Sequence, residues 1–162
     1  MAKEPGGSVQ RVRDALAAEG LASEVKELAA STRTAQEAAA AVGCGVAQIV
    51  KSLVFRGTSS GRAVVALVSG SNRASEALLS EVAGEPVARA DADFVRERTG
   101  FAIGGVPPLG HLEAVTVVID RDLMAFPVVW AAAGSPNAVF AVAPADLQRV
   151  TGGRVADVKE PI

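Results

Sequence analysis

Two apolar runs dominate the middle of the chain. QIVKSLVFRG (48–57) carries Ile49, Val50, Leu53, Val54 and Phe55, and RAVVALVSG (62–70) is more apolar still. Between them lies GTSSG (57–61), a turn by composition. Two β-branched runs around a glycine-bracketed turn predict a hairpin. The rest of the chain has to be read around that piece of sheet.

Upstream, MAKEPGG (1–7) reads as a loose tail, with one folded unit from residue 8 to residue 162. Ser8 is placed to cap a first helix, with Val9, Val12 and Leu16 on one face and Gly20 closing it. SEVKEL (23–28) alternates like a short strand. Thr34 and Glu37 have the spacing of a capping box and open an Ala-rich helix that stops at Gly43.

Downstream, Ser71 or Asn72 is predicted to cap a helix that Gly84 closes, and EPVARA (85–90) a short strand. Asp91 caps a further helix ending near Gly100. Three more strands follow in AVTVVID, VVWAAA and AVFAVA, with GSPN (134–137) turning the last two into a second hairpin. Pro144 suits the first position of a final helix that Gly152 ends. Helices and strands are interspersed with at least two hairpins. The expected fold class is therefore α+β: a single domain with a mixed β-sheet and surrounding helices.

Composition excludes several function classes. With 162 residues the chain can bury a core without staples. No apolar run approaches the roughly 20 residues of a membrane span, and no signal-peptide pattern is present. One cysteine rules out an intramolecular disulfide and cysteine-rich zinc sites, and a reducing, cytoplasmic setting is expected. A net charge of −2 argues against broad, non-specific nucleic-acid binding but leaves room for a few local cations at one end.

One stretch resists a bland reading. TGFAIGGVPPLGH (99–111) holds four glycines, two adjacent prolines and the chain's one histidine. It cannot lie mid-helix. It reads either as a plain connection or as a stiff loop whose backbone amides approach a ligand, as in sites that polarise an ester carbonyl. It is no P-loop, and GxGxxG is absent.

Lys51 interrupts the first apolar run and shares a strand face with Ile49, Leu53 and Phe55. It is either a sheet-edge lysine reaching water or a lysine on a cleft floor facing an anion. His111 stands alone, so a metal site is not indicated; it is a loop histidine or a general base. Cys44 lacks a neighbouring base and reads as a packing residue. Arg56, Arg62 and Arg73 are surface cations or phosphate contacts.

The order of TAQEAAAAVGCGVAQIVKSLVF, VVALVSGSNR, TGFAIGGVPPLGH and AVFAVAPADLQRVTGG resembles the YbaK/ProX family, the prolyl-tRNA synthetase-associated domain. The likeness runs from about Ser31 to Val158, and QIVKSLVF and GGVPP are its most specific pieces. The resemblance implies an α+β domain around a mixed sheet. It implies an aminoacyl-tRNA deacylase that cleaves the ester of a mischarged tRNA, often tRNA-Pro carrying a small amino acid. With one domain's length and no synthetase motif, the chain resembles the free-standing type.

By position, Lys51 matches the family's essential lysine, which contacts the terminal nucleotide or its phosphate. Gly104, Gly105, Val106, Pro107 and Pro108 match the Gly-x-x-x-Pro loop that holds the aminoacyl group, and Gly110 and His111 continue it. The family needs no metal, no cofactor and no protein nucleophile; water attacks, positioned by the substrate's ribose hydroxyl and backbone groups. The implied partner is the acceptor end of an aminoacyl-tRNA, with a synthetase or elongation factor adding affinity, and no membrane. Pro107 stands where many relatives have Ser, and His111 where other residues are common; both bear on which amino acid the pocket takes. A module of the same shape that binds an aminoacyl group, nucleotide or tRNA end without hydrolysis is the competing reading.

Overall fold

The two apolar runs form the centre of one eight-stranded mixed sheet in a computed structural model that describes residues 7–21, 24–28 and 34–161. The expected tail falls almost wholly on residues 1–6, outside the described residues. The strands are β1 (Val25–Glu27), β2 (Ile49–Gly57), β3 (Ala63–Ser69), β4 (Val87–Arg89), β5 (Thr116–Asp120), β6 (Val129–Ala132), β7 (Ala138–Val142) and β8 (Arg154–Ala156). The helices are α1 (Gly7–Ala18), α2 (Ala35–Val42), α3 (Glu76–Ala83), α4 (Ala92–Thr99) and α5 (Pro144–Thr151). The expected α+β architecture with its two hairpins is the one observed.

The sheet order is β1-β7-β6-β2-β3-β5-β8, with β4 off this path and paired to β2. Hairpin β2–β3 pairs Lys51 with Val68 and Phe55 with Val64, and β6–β7 closes through 134–137. Every residue of β3 is buried because both sheet faces are covered. On one face Val50, Val54, Val65 and Leu67 pack with Val9, Val12 and Leu16 of α1, Val95 of α4 and Leu147 of α5. On the other, Phe55, Val64, Ala66 and Val68 pack against Leu79 and Ala83 of α3. Ile49 meets the alanines of α2 there in a separate, smaller cluster.

Local signals account for most helix ends. Thr34 and Glu37 make the capping box, with bonds of 3.1 and 3.2 Å. Gly43, Gly84, Gly100 and Gly152 close their helices with positive φ. Two boundaries and one strand differ from expectation. α1 starts at Gly7, so Ser8 lies inside its first turn. α3 is capped by Ser75, not by Ser71 or Asn72, because the Asn72 side chain is engaged by Asp120 and Asp122. The sequence reading has no counterpart to β8, whose three residues are all exposed or half-buried.

Candidate functional site

The site begins with a change of partner along β2. One edge of β2 pairs with β3 throughout. The other pairs with β6 in parallel at Ile49 and Val50, and with β4 in antiparallel from Phe55 to Gly57. The Ala90 amide donates to the Val54 carbonyl at 3.2 Å, which marks the near end of the β4 side. Between these partners Lys51–Leu53 have β3 as their one strand neighbour. Strand alternation turns the Ser52 peptide groups toward the open side, as those of Val54 are.

A cavity of about 440 Å³ occupies this gap. Lys51, Ser52 and Leu53 form its floor, α2 and Trp130 one wall, and Ile103, Gly104 and Val106 the opposite rim. This is within the range of small-molecule sites, about 300–1,000 Å³. Lys51 is the one ionisable side chain among the described lining residues.

Lys51 is half-buried, and its Nζ donates to the Asn72 carbonyl oxygen at 2.5 Å. Burial pushes its pKa below the usual lysine value; Asp120 pulls the other way, and Arg73 and Arg89 add to the depression. Asp120 is 1% exposed. It accepts from the Ser69 amide at 3.0 Å, the Asn72 side-chain amide at 2.8 Å and the Asp122 amide at 3.0 Å. The same Asn72 nitrogen reaches Asp122 at 2.9 Å, and Lys159 pairs with Asp122 at 2.7 Å. Hydrogen bonding from Lys159 and Asn72 holds the Asp122 carboxyl below the usual range. The loop behind Lys51 is thus fixed by a polar network built on the buried Asp120 carboxylate.

The glycine-proline loop divides between two places. Arg11 anchors its start, with its guanidinium 4.3 Å from the Phe101 ring centroid and a 3.1 Å bond to the Gly100 carbonyl. Gly104 has φ +96°, a conformation that side chains disfavour. A Cβ on Gly105 would stand 2.9 Å from Ser135 Cα, so this glycine lets the loop lie against the 134–135 turn. Val106 is buried and lines the cavity. Pro107 is buried, and its carbonyl accepts from His111 Nε2 at 2.7 Å.

Lys51, Gly104 and Val106 therefore meet at one cavity, and Gly105 backs the rim between the last two. Pro108, Gly110 and His111 line a different cavity, of about 420 Å³, with Ala15, Glu19 and Val117. His111 also stands edge-on to Phe101, 6.4 Å between centroids. Burial lowers its pKa below the usual histidine value, the Pro107 carbonyl opposes this, and Arg11 lowers it further. The geometry makes His111 a strut for the loop. Cys44 packs beside α2, and burial pushes its thiol up, away from a thiolate. Arg62 pairs with Glu85 at 3.0 Å.

Two lining residues escaped sequence reasoning. Ser52 Oγ is buried with no hydrogen-bond partner among the described residues. Leaving a hydroxyl unsatisfied costs on the order of 1–3 kcal/mol. A single serine in an apolar strand was the signal available. Trp130 lies opposite Ile49 in the β2–β6 register and offers an aromatic wall. The cavity combines a cation, an apolar wall and a glycine-rich rim, which suits an ester-linked group next to an anion.

A family model described as the aminoacyl-tRNA editing domain matches residues 29–150. A solved structure described as a proposed trans-editing enzyme for prolyl tRNA synthetase is 49% identical, with a TM-score of 0.90 over 99% of this chain and 100% of that one. Another, of a hypothetical protein, is 35% identical, with a TM-score of 0.86 over 93% of this chain and 99% of that one. The uncharacterized protein YwhH of Bacillus subtilis is 29% identical over 132 residues, 82% of this chain and 83% of that protein. The matched residues include β2, the glycine-proline loop and Trp130. The chain belongs to the aminoacyl-tRNA editing domain family, of the YbaK kind.

Proposed function

We propose that the protein hydrolyses the ester of a mischarged aminoacyl-tRNA, with tRNA-Pro carrying a small non-cognate amino acid as the leading substrate. The observation that carries this reading is the convergence of Lys51 with the rim of Gly104 and Val106 on one cavity at the open edge of β2. The family membership and the solved relative's description support it.

In this reading Lys51 holds a phosphate or the terminal nucleotide, and the 103–106 rim lies along the aminoacyl group. Water forms the new bond to the ester carbonyl carbon. The ribose oxygen leaves and takes up a proton, giving a free amino acid and an uncharged tRNA. With no carboxylate or imidazole among the described lining residues, the proton passes through water and the substrate's own ribose hydroxyl. Backbone N–H groups near the gap are the candidate donors to the developing oxyanion. No metal takes part. One cysteine and a tRNA substrate fit a cytoplasmic setting.

The same lack of an acid–base pair favours a second reading, a module that binds an aminoacyl or nucleotide end without turnover. A deacylation time course separates them. The substrates are tRNA-Pro charged with Ala, Cys, Ser, Thr and Pro, plus Ala-tRNA-Ala. Loss of one mischarged species with Pro-tRNA-Pro spared supports editing. Binding without turnover across the panel supports the module.

A further inference from the structure

Beyond the cavity, the sheet face that carries Lys51 holds further positive charge. Arg73 follows Asn72, whose carbonyl holds Lys51, and its own carbonyl accepts from the Glu160 amide at 2.7 Å. Arg89 stands opposite Phe55 in the β2–β4 register, with its guanidinium 5.6 Å from the Phe55 ring centroid. Phe55 shares the strand face of Lys51, four residues on, and the Arg89 charge is near enough to lower the Lys51 pKa.

Both arginines are exposed, and neither has a carboxylate within ion-pair distance among the described residues. By contrast Arg13, Arg62, Arg98 and Arg149 are ion-paired. The carboxylate nearest in influence, Asp120, is buried and already takes three hydrogen bonds. Arg73 and Arg89 each add positive potential at Lys51, the cation on the cavity floor, in a chain of net charge −2. Such a cluster is stabilised by an anion arriving from outside.

We infer that Arg73 and Arg89 hold backbone phosphates of the single-stranded 3′ segment that leads an RNA into the cavity. The direction of that strand rests on the deacylase reading above; the charge track does not. Phosphate contacts of this kind set register and affinity, not sequence.

The test is fluorescence anisotropy of a 5′-labelled single-stranded RNA ending in CCA, titrated at several salt concentrations. Each of Arg73→Ala and Arg89→Ala weakens binding and lowers the slope of log K against log salt by about 0.7, the value for one single-strand phosphate contact. The double variant loses about twice that. Arg154→Ala, an exposed arginine on the far edge strand β8, leaves the slope unchanged. A wild-type slope in the double variant, an equal loss in Arg154→Ala, or no RNA binding by the wild type overturns the track.

Activity is read beside binding. The double variant loses kcat/KM on aminoacyl-tRNA but keeps it on an aminoacyl-adenosine that lacks those phosphates; equal loss on both overturns the inference. A wild type that hydrolyses neither ester yet binds RNA with the expected slopes sinks the deacylase reading and leaves the track standing.

Discussion

Lys51 and Asn72 meet side chain to main chain: the ammonium donates to the Asn72 carbonyl oxygen at 2.5 Å, while the Asn72 side chain is held by two aspartates. The lysine at the cavity is therefore aimed by a loop whose own position is set from β5. An ammonium has three donors, and one is spent on this contact. The other two are left for a ligand.

Lys51→Ala is expected to lower kcat/KM for deacylation by about 10²-fold or more with the fold intact, the range for removal of a transition-state donor. Because burial lowers the Lys51 pKa, its charge is lost at a lower pH than for a free lysine. The alkaline limb of kcat/KM, after subtraction of spontaneous ester hydrolysis, should have its midpoint below 10.5. Wild-type rates in the alanine variant would remove Lys51 from the mechanism.

Asn72→Ala strips both aspartates of a donor and should cost about 1–3 kcal/mol in urea unfolding. Asn72→Asp should cost more, since it sets a third carboxylate against Asp120 and Asp122. Equal stability of the two variants would show that the network is not what fixes the loop.

His111 makes a prediction about stability and a contrasting one about activity. Its folded pKa lies below 6.5, so the unfolded chain takes up a proton first. Its contribution is full above 6.5 and is lost as pH falls through the folded value. His111→Gln should flatten that part of the pH–stability curve. It should leave kcat/KM within a few-fold, because the ring faces the Pro107 carbonyl and the second cavity. A loss as large as that of Lys51→Ala would make His111 a catalytic base.

Gly105→Ala should lower activity more than it lowers stability. The added methyl meets main-chain atoms of Ser135 and Gly134 at 2.9–3.1 Å, which cannot swing aside. The 103–106 rim must lift from the 134–135 turn, and the cavity changes shape. Unchanged kinetics with all mischarged substrates would show that the rim does not touch the aminoacyl group.

Much of this was legible in the sequence, for physical reasons that differ by element. The β2–β3 hairpin and the Thr34 capping box are local codes and can be read in place. Lys51 stood out because a cation in an apolar strand is costly. The cap of α3 was misplaced because Asn72 is a good local cap that is drawn instead to Asp120 and Asp122, far along the chain. The loop at 99–111 reads as one unit in sequence. Yet its backbone turns between Val106 and Gly110, so neighbours in the chain end on different cavities. Ser52 shows only as a single polar residue in an apolar strand; the gap its peptide groups face exists because β6 stops at Val50 and β4 begins at Phe55.

That stop and start act as a ruler. The unpartnered length of β2, Lys51–Leu53, is about 10 Å. A peptide that tried to lie along it as an extra strand would run into β6 at one end and β4 at the other. A bare sheet edge ordinarily invites another chain to zip on; here two neighbouring strands cut the invitation to three residues.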